Sequence, residues 1–349
     1  MPESADNKFM MRCLDLAVRA EGMTYPNPLV GSVVVHDGVI IGEGYHLKAG
    51  MPHAEVNAIN SVSDKSLLSK STLYVSLEPC AHSGKTPPCA DFINSNNIPR
   101  VVIGTSDSSD KVSGKGINRL KAAGCEVISG VLETECRRIN RRFFTFHEKK
   151  RPYITLKWAQ SANGYIDTVR TGSHTAEPNW ITGKSERVLV HKWRAAEQSI
   201  LVGAGTVRAD NPRLNVRYWN GNDPIRIILS RSGNLNDYLT KNETNGTVIV
   251  FTCNSKSYIG SGERITLKED IASSLQVVDY LYNEKIQSLF IEGGAEILTH
   301  FIENGLWDEA RIFTGLVDFN EGVKAPSISG RIWSDTGFEK SRLRVLLNE

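Results

Sequence analysis

No uninterrupted apolar run in this chain is long enough to cross a bilayer, so a helical membrane span is excluded. A large charge of either sign is also missing. The formal net charge is +2, and no strong field draws the protein toward nucleic acid or an anionic membrane. Aromatic residues amount to 8%, which argues against the basic, aromatic-interleaved groove of a strand-binding protein. The opening Met1-Pro2-Glu3-Ser4-Ala5-Asp6 has no basic region followed by an apolar one, so export is not expected. Six cysteines in 349 residues do not make a disulfide framework, and a reducing cytoplasm is the expected location. The dinucleotide fingerprint G-x-G-x-x-G is absent, because Gly203-Ala204-Gly205 lacks the third glycine. Internal repeats and low-complexity segments are absent as well.

What is present suits a globular protein of two domains. Apolar residues make up 40% and charged residues 23%, and the length exceeds one ordinary core. The pattern divides the chain into residues 1–147 and 148–349. In the first part, helical spacing over Lys8 to Glu21 precedes two strands, Val30 to Val35 and Val39 to Glu43. His36-Asp37-Gly38 between them carries the Asp-Gly hairpin signal. Further strands are expected over Thr72 to Ser76, Arg100 to Gly104 and Glu126 to Ser129. Helices are expected over Ala54 to Val62, Ala90 to Ser95 and Gly116 to Ala123. The basic stretch Arg137 to Arg151 reads as a solvated helix face leading to a linker, with phosphate binding as the alternative. After Pro152 a second α/β pattern begins. Its strands are expected at Tyr153 to Ala159, Ser199 to Gly203, Ile225 to Leu229, Thr247 to Phe251, Ser288 to Glu292 and Ala310 to Thr314. Glu186 to Ala196 and Ile271 to Asn283 read as helices.

The strongest chemical signal lies in the first part. His53 and Glu55 stand two residues apart, and Pro79-Cys80 and Pro88-Cys89 follow. One imidazole and two thiolates supply three ligands for a tetrahedral zinc and leave the fourth position to water, as catalytic sites do. Two thiolates and an imidazole favour zinc over harder ions. Glu55 is not needed as a ligand; its natural task is to carry protons during hydrolytic removal of an amine from a nucleobase. His82 as a fourth ligand would instead make the site structural. Cys13, Cys125, Cys136 and Cys253 are scattered and read mostly as small core residues. The loop between the two ligand cysteines is longer than the two-residue spacer of nucleic-acid and nucleoside deaminases. It contains Lys85, a candidate for an anionic substrate group or simply a surface cation. Asn27, pinned between Pro26 and Pro28, is placed either to read a base edge or to form a plain turn.

The second part offers a weaker signal. Phe290-Ile291-Glu292-Gly293-Gly294-Ala295 runs from a strand into a glycine turn and a helix from Glu296, an arrangement that accepts an anion.

These segments together resemble the bifunctional deaminase–reductase family of bacterial riboflavin biosynthesis. The resemblance is carried by Pro26-Asn27-Pro28-Leu29-Val30-Gly31, Gly44-Tyr45-His46, His53-Ala54-Glu55, and Leu77-Glu78-Pro79-Cys80 through Thr86-Pro87-Pro88-Cys89. In the second part it is carried by Trp180-Ile181-Thr182, Gly205-Thr206-Val207, Ala209-Asp210-Asn211-Pro212 and Glu292-Gly293-Gly294. It implies an α/β protein: a cytidine-deaminase-like three-layer α/β/α domain over residues 1–147 and a dihydrofolate-reductase-like α/β domain over 148–349. The first would deaminate 2,5-diamino-6-(5-phosphoribosylamino)pyrimidin-4-one with zinc. The second would reduce the ribosyl group of the resulting uracil to ribityl with NADPH. His53, Cys80 and Cys89 would then be zinc ligands and Glu55 the catalytic acid and base. Ala159, Trp180, Thr206, Asp210, Gly294 and Ala295 would contact NADPH. Asn27, His46, Lys85, Arg194, Leu214, Arg217 and Glu292 would contact substrate. A homo-oligomer, dimer or tetramer, is expected, with no nucleic-acid or membrane partner.

Residue by residue, plainer readings stand beside these: Trp180 as core, Arg194 as an ion-pair partner, Asp210 as a turn former. Asn163-Gly164 stands where the family has an acidic residue before glycine, and the region after Val317 departs from the family's pattern. One alternative is a monofunctional zinc deaminase with a non-catalytic second domain. Others are a deaminase acting on nucleic acid and a zinc-stabilised scaffold.

Overall fold

The computed structural model describes residues 4–81, 87–108, 114–168, 180–235, 238–239, 248–256 and 262–348. It divides into two compact units, Met1–Lys150 and Arg151–Glu349.

The first unit holds a five-stranded sheet in the order β2-β1-β3-β4-β5. Its strands are β1 (Gly31–His36), β2 (Val39–Tyr45), β3 (Thr72–Leu77), β4 (Arg100–Thr105) and β5 (Glu126–Ser129). The β1–β2 hairpin turns at Asp37 and Gly38, both with positive φ, as the Asp-Gly signal required. Strands β3, β4 and β5 are parallel. Side chains alternate across the sheet with period two. Val34, Leu73, Val75, Val101 and Ile103 pack under α2 (Ala54–Ser61), α3 (Cys89–Ser95) and α4 (Lys115–Ala122). Their neighbours Val33, Val35, Tyr74 and Val102 pack on the other face under α1 (Ala5–Ala17) and α5 (Glu133–Ile139). Two glycines of β2 let α2 come close: a Cβ on Gly44 would lie 2.5 Å from the Ala58 nitrogen, and one on Gly42 2.5 Å from the Ala58 oxygen. That contact sets the height of His53 and Glu55 above the sheet.

The basic stretch differs from its solvated-face reading. In α6 (Arg141–Lys149), Phe143, Phe144 and Phe146 are buried. Arg142 is buried beside Glu21, 3.4 Å away. The apolar side chains within the charge run gave the helix a core face. Asn140, at the α5–α6 junction, receives the Leu29 N–H at 2.7 Å and donates to the Leu29 carbonyl at 2.8 Å. It pairs with the Asn27 loop as a neighbouring strand would.

The second unit contains a nine-stranded sheet, β11-β10-β9-β8-β12-β6-β13-β16-β15. The strands are β6 (Tyr153–Gln160), β8 (Ser199–Gly203), β9 (Ile225–Leu229), β10 (Val248–Thr252), β11 (Glu263–Thr266), β12 (Ser288–Gly293), β13 (Glu309–Gly315), β15 (Arg331–Gly337) and β16 (Ser341–Leu347). All neighbours from β11 to β13 are parallel, and β16 and β15 close one edge antiparallel. On one face Ile154, Leu156, Leu289 and Ile291 pack with α9 (Ser273–Asn283) and α10 (Ala295–Glu303). On the other, Ile200, Val202 and Phe290 meet α7 (Lys184–Ala196) and α8 (Ala204–Asp210). A small separate sheet pairs β7 (Tyr165–Thr168) with β14 (Gly322–Lys324).

Beyond Val317, where no element was expected, three strands form. In β16, buried Leu343 and Val345 alternate with exposed Arg342 and Arg344, which is a readable pattern. In β15 nearly every residue is exposed, so no alternation marks it. Asn163 holds this region too, accepting from the Phe319 N–H at 3.2 Å and donating to its carbonyl at 2.7 Å.

Candidate active sites

His53 is the N-cap of α2, Cys80 follows β3, and Cys89 opens α3. The ligand atoms of these three residues lie within 4.8 Å of one another, and among the described residues no other such group of histidine, cysteine and carboxylate side chains forms. His53 Nδ1 stands 3.2 Å from Cys89 Sγ and 3.6 Å from Cys80 Sγ. The Cys89 N–H points at Cys80 Sγ from 3.3 Å, so the start of α3 supports a thiolate there. The hydrogen bond from Cys89, helped by His53 and that N–H, pulls the Cys80 thiol below its ordinary range against the cost of burial. Cys89 holds its proton correspondingly harder, because of its bond to Cys80 and its own burial. A soft divalent cation in place of the shared proton matches this donor set.

Glu55 lies in the first turn of α2 and is 3% exposed. Burial pushes its carboxyl up to about 7, against the pull of His53. His46 packs edge-on against His53 at 5.3 Å between ring centroids. Its Nδ1 is 3.1 Å from the Pro52 carbonyl, which only donation satisfies, so Nε2 accepts from the Asn27 amide at 3.0 Å. Burial lowers the His46 pKa, in keeping with a neutral ring. The structure thus brings Asn27, His46, His53, Glu55, Cys80 and Cys89 together. Lys85 and His82 lie outside the described residues.

Sequence reasoning passed over Glu78. Its buried carboxylate accepts from the N–H groups of Asp107, Gly114, Gly116 and Ile117, at 2.9 to 3.3 Å. A Cβ on Gly116 would sit 1.9 Å from the Pro79 carbonyl oxygen. The Pro79–Cys80 step is therefore clamped by the start of α4. An acidic residue beside a ligand cysteine was the available signal.

In the second unit a cleft of about 1650 Å³ opens above the C-terminal ends of the parallel strands. All ten residues singled out in that half line it: Ala159, Trp180, Arg194, Thr206, Asp210, Leu214, Arg217, Glu292, Gly294 and Ala295. Gly293 has φ of 118° and joins Gly294 through a cis peptide bond, and Gly294 caps α10. A side chain at Gly294 would come 3.2 Å from the Thr206 hydroxyl. Arg194 and Glu292 form a two-pronged ion pair at 2.6 and 2.8 Å. Trp180 is 60% exposed beneath the Arg187 guanidinium at 4.2 Å, so it is not a core residue. Asp210 ends α8, and Asn211 takes the left-handed conformation that closes it. Lys157 and His191 also line the cleft and were not anticipated. A lysine within the largely buried β6 was the signal for the first; nothing local marked the second.

The family model for the cytidine and deoxycytidylate deaminase zinc-binding region matches residues 3–105, and that for the RibD C-terminal domain matches 152–315. The riboflavin biosynthesis protein RibD of Aquifex aeolicus is 39% identical over 332 residues, covering 93% of this chain and 90% of the relative. The chain belongs to the RibD family. The RibD of Escherichia coli is 33% identical, with 88% of this chain and 87% of the relative covered. The crystal structure of a diaminohydroxyphosphoribosylaminopyrimidine deaminase/5-amino-6-(5-phosphoribosylamino)uracil reductase from Thermotoga maritima superposes with a TM-score of 0.87 at 36% identity. It covers 98% of both chains. The first unit is cytidine-deaminase-like and the second is the reductase domain of the RibD fold, which is dihydrofolate-reductase-like. RibD proteins are bifunctional, a deaminase and a reductase of riboflavin biosynthesis, with zinc and NADPH as cofactors. A monofunctional deaminase with an idle second domain is set aside, because that domain matches the RibD C-terminal model.

Proposed function

We propose that residues 1–147 deaminate 2,5-diamino-6-(5-phosphoribosylamino)pyrimidin-4-one. Residues 148–349 then reduce the ribosyl group of the resulting 5-amino-6-(5-phosphoribosylamino)uracil. The observation that carries the first step is a buried Glu55 carboxyl, pushed up to about 7 by burial, beside a cluster of three ligand atoms that does not include it. His53, Cys80 and Cys89 would hold the zinc, which when bound supplies a Lewis acid that makes water nucleophilic at neutral pH. Glu55 takes a proton from the attacking water and gives it to the ring nitrogen, then carries the hydroxyl proton of the tetrahedral adduct to the departing amine, which leaves as ammonia. Asn27, held by His46, orients the base edge, and Lys85 takes the substrate's phosphate.

In the second cleft NADPH would supply the hydride. Ala159, Trp180, Thr206, Asp210, Gly294 and Ala295 would hold it, the glycine turn at the head of α10 favouring its phosphates. Arg194, Leu214, Arg217 and Glu292 would hold the phosphorylated sugar. The test couples metal analysis to ammonia release from the diaminopyrimidine and to NADPH oxidation by the deaminated product. Stripping the metal with a chelator is expected to abolish ammonia release and to leave NADPH oxidation with supplied product within about twofold, since metal chemistry serves hydrolysis alone. Equal loss of both activities would contradict the division of labour. Gly116→Ala is expected to displace the Pro79–Cys80 step and weaken zinc binding by about 10- to 100-fold, the range for outer-shell changes. Competition with a chromophoric chelator measures it.

A homo-oligomer is proposed as well, and a cytoplasmic location. The position of β15 at the edge of its sheet, with exposed Ile332 and Trp333, supports the first. Cysteines without disulfides support the second. Sedimentation of a monomer at micromolar concentration would remove the oligomer.

A further inference from the structure

Arg187, His191 and Arg194 occupy positions i, i+4 and i+7 of α7, which places them in one stripe along the helix. All three line the cleft of the second unit. Arg187 lies over Trp180, and Arg194 grips Glu292 while donating to the Asn215 carbonyl at 3.1 Å. Between them His191, 4% exposed, accepts the Arg217 backbone N–H on Nδ1 at 3.0 Å.

The segment 211–218 belongs to no helix or strand, so side chains set its course. Near Arg217 its anchors include the bonds to His191 and Arg194 and one from the Val216 N–H to Asp223 at 2.6 Å, and the Tyr238 hydroxyl donates to the Pro212 carbonyl at 2.9 Å. Tyr218 stands edge-on to the His191 ring at 4.8 Å. The Arg217 guanidinium reaches the Asn215 side chain and lies near the Tyr218 ring, and no carboxylate among the described residues pairs with it. Its charge is left for a ligand.

We propose that His191 is a positioning residue of the reductase: as a neutral acceptor it fixes the backbone at Arg217 and so aims that guanidinium at the phosphate of the substrate. The proposal rests on Arg217 being a substrate contact, as read above. A protonated imidazole has no lone pair to offer the N–H. Burial, with Arg194 and Arg217 nearby, holds the His191 pKa at about 4 against the opposing pull of Glu292 and Asp223. The ring therefore keeps its acceptor at every pH near neutrality.

Two polar variants separate this role from simple packing. Asparagine can set its carbonyl where Nδ1 stands, whereas glutamine carries its amide one bond further, where Nε2 stands. For His191→Gln the KM for 5-amino-6-(5-phosphoribosylamino)uracil is expected to rise about tenfold, from loss of one buried hydrogen bond. Its kcat, its KM for NADPH and ammonia release by the first unit should each stay within about twofold. His191→Asn is expected to restore the substrate KM to within about threefold of the wild type. Equal KM values for H191N and H191Q would overturn the proposal, as would a fall in kcat with KM unmoved. Wild-type NADPH oxidation reports separately on the reductase reading. If it fails, the dissociation constants of the same phosphorylated compound for H191N and H191Q, measured by calorimetry, still decide the role of His191.

Discussion

Glu55→Gln is expected to slow ammonia release by about 10²- to 10⁴-fold, the range for removal of a positioned general acid–base group, while zinc content stays unchanged. The argument rests on separation of tasks. The atoms placed to hold a metal belong to His53, Cys80 and Cys89, whereas Glu55 lies in the first turn of α2 with its carboxyl buried beside them. Burial pushes its carboxyl up to about 7, the range that suits a group asked to take and give a proton near neutrality. Glutamine keeps the shape and some hydrogen bonding and loses only the transferable proton. Elemental analysis and an ammonia assay on one preparation check both halves. Full activity in E55Q would end the proton-shuttle assignment, and loss of zinc would make Glu55 a ligand or a structural support.

Glu292→Ala is expected to destabilise the second unit by about 3–5 kcal/mol, the typical cost of stranding a buried charge, and to remove most reductase activity. Arg194 and Glu292 are both largely buried, and their two parallel bonds leave each as the other's main partner. Burial alone would raise the Glu292 pKa. Arg194, with help from Lys157 and His191, outweighs it and holds the carboxyl at about 2. The folded value lies below the ordinary one. The resulting stability is therefore fully present above a pH of about 4.5 and is lost as pH falls through about 2. Thermal melts of the wild type and E292Q across that window should converge as the acid becomes protonated. A constant difference between them down to the lowest pH would show that the pair does not contribute through ionisation.

Much of the deaminase centre was readable because its signal is local. His53 and Glu55 share a helix start, and the two Pro-Cys steps announce their own junctions. Most strands with a buried face were likewise readable, since residues such as Val33, Val34 and Val35 point in turn to opposite cores, although β16 was not read. β15 escaped because neither of its faces is covered, so its residues carry no such record. The basic stretch was read by its charge, while its phenylalanines, spaced for one helix face, decided the packing. In the second unit the glycine turn at Gly293-Gly294 was readable as an anion site from its own residues, whereas the other candidates were found through resemblance. The structure's addition was to gather them around one cleft and to supply Lys157 and His191 beside them.

The sequence by itself determined the chemistry available: one imidazole, two thiols and a spare carboxyl at fixed spacing, and apolar periods that make two α/β units. Only the tertiary structure decided which distant groups meet. Arg194 finds Glu292 across 98 positions and Asn140 finds Leu29 across 111. Such partners are chosen by the order of strands in a sheet and the seating of helices upon it. Short-range propensity carries no term for either, because the bond forms between segments whose separation is set by the packed core.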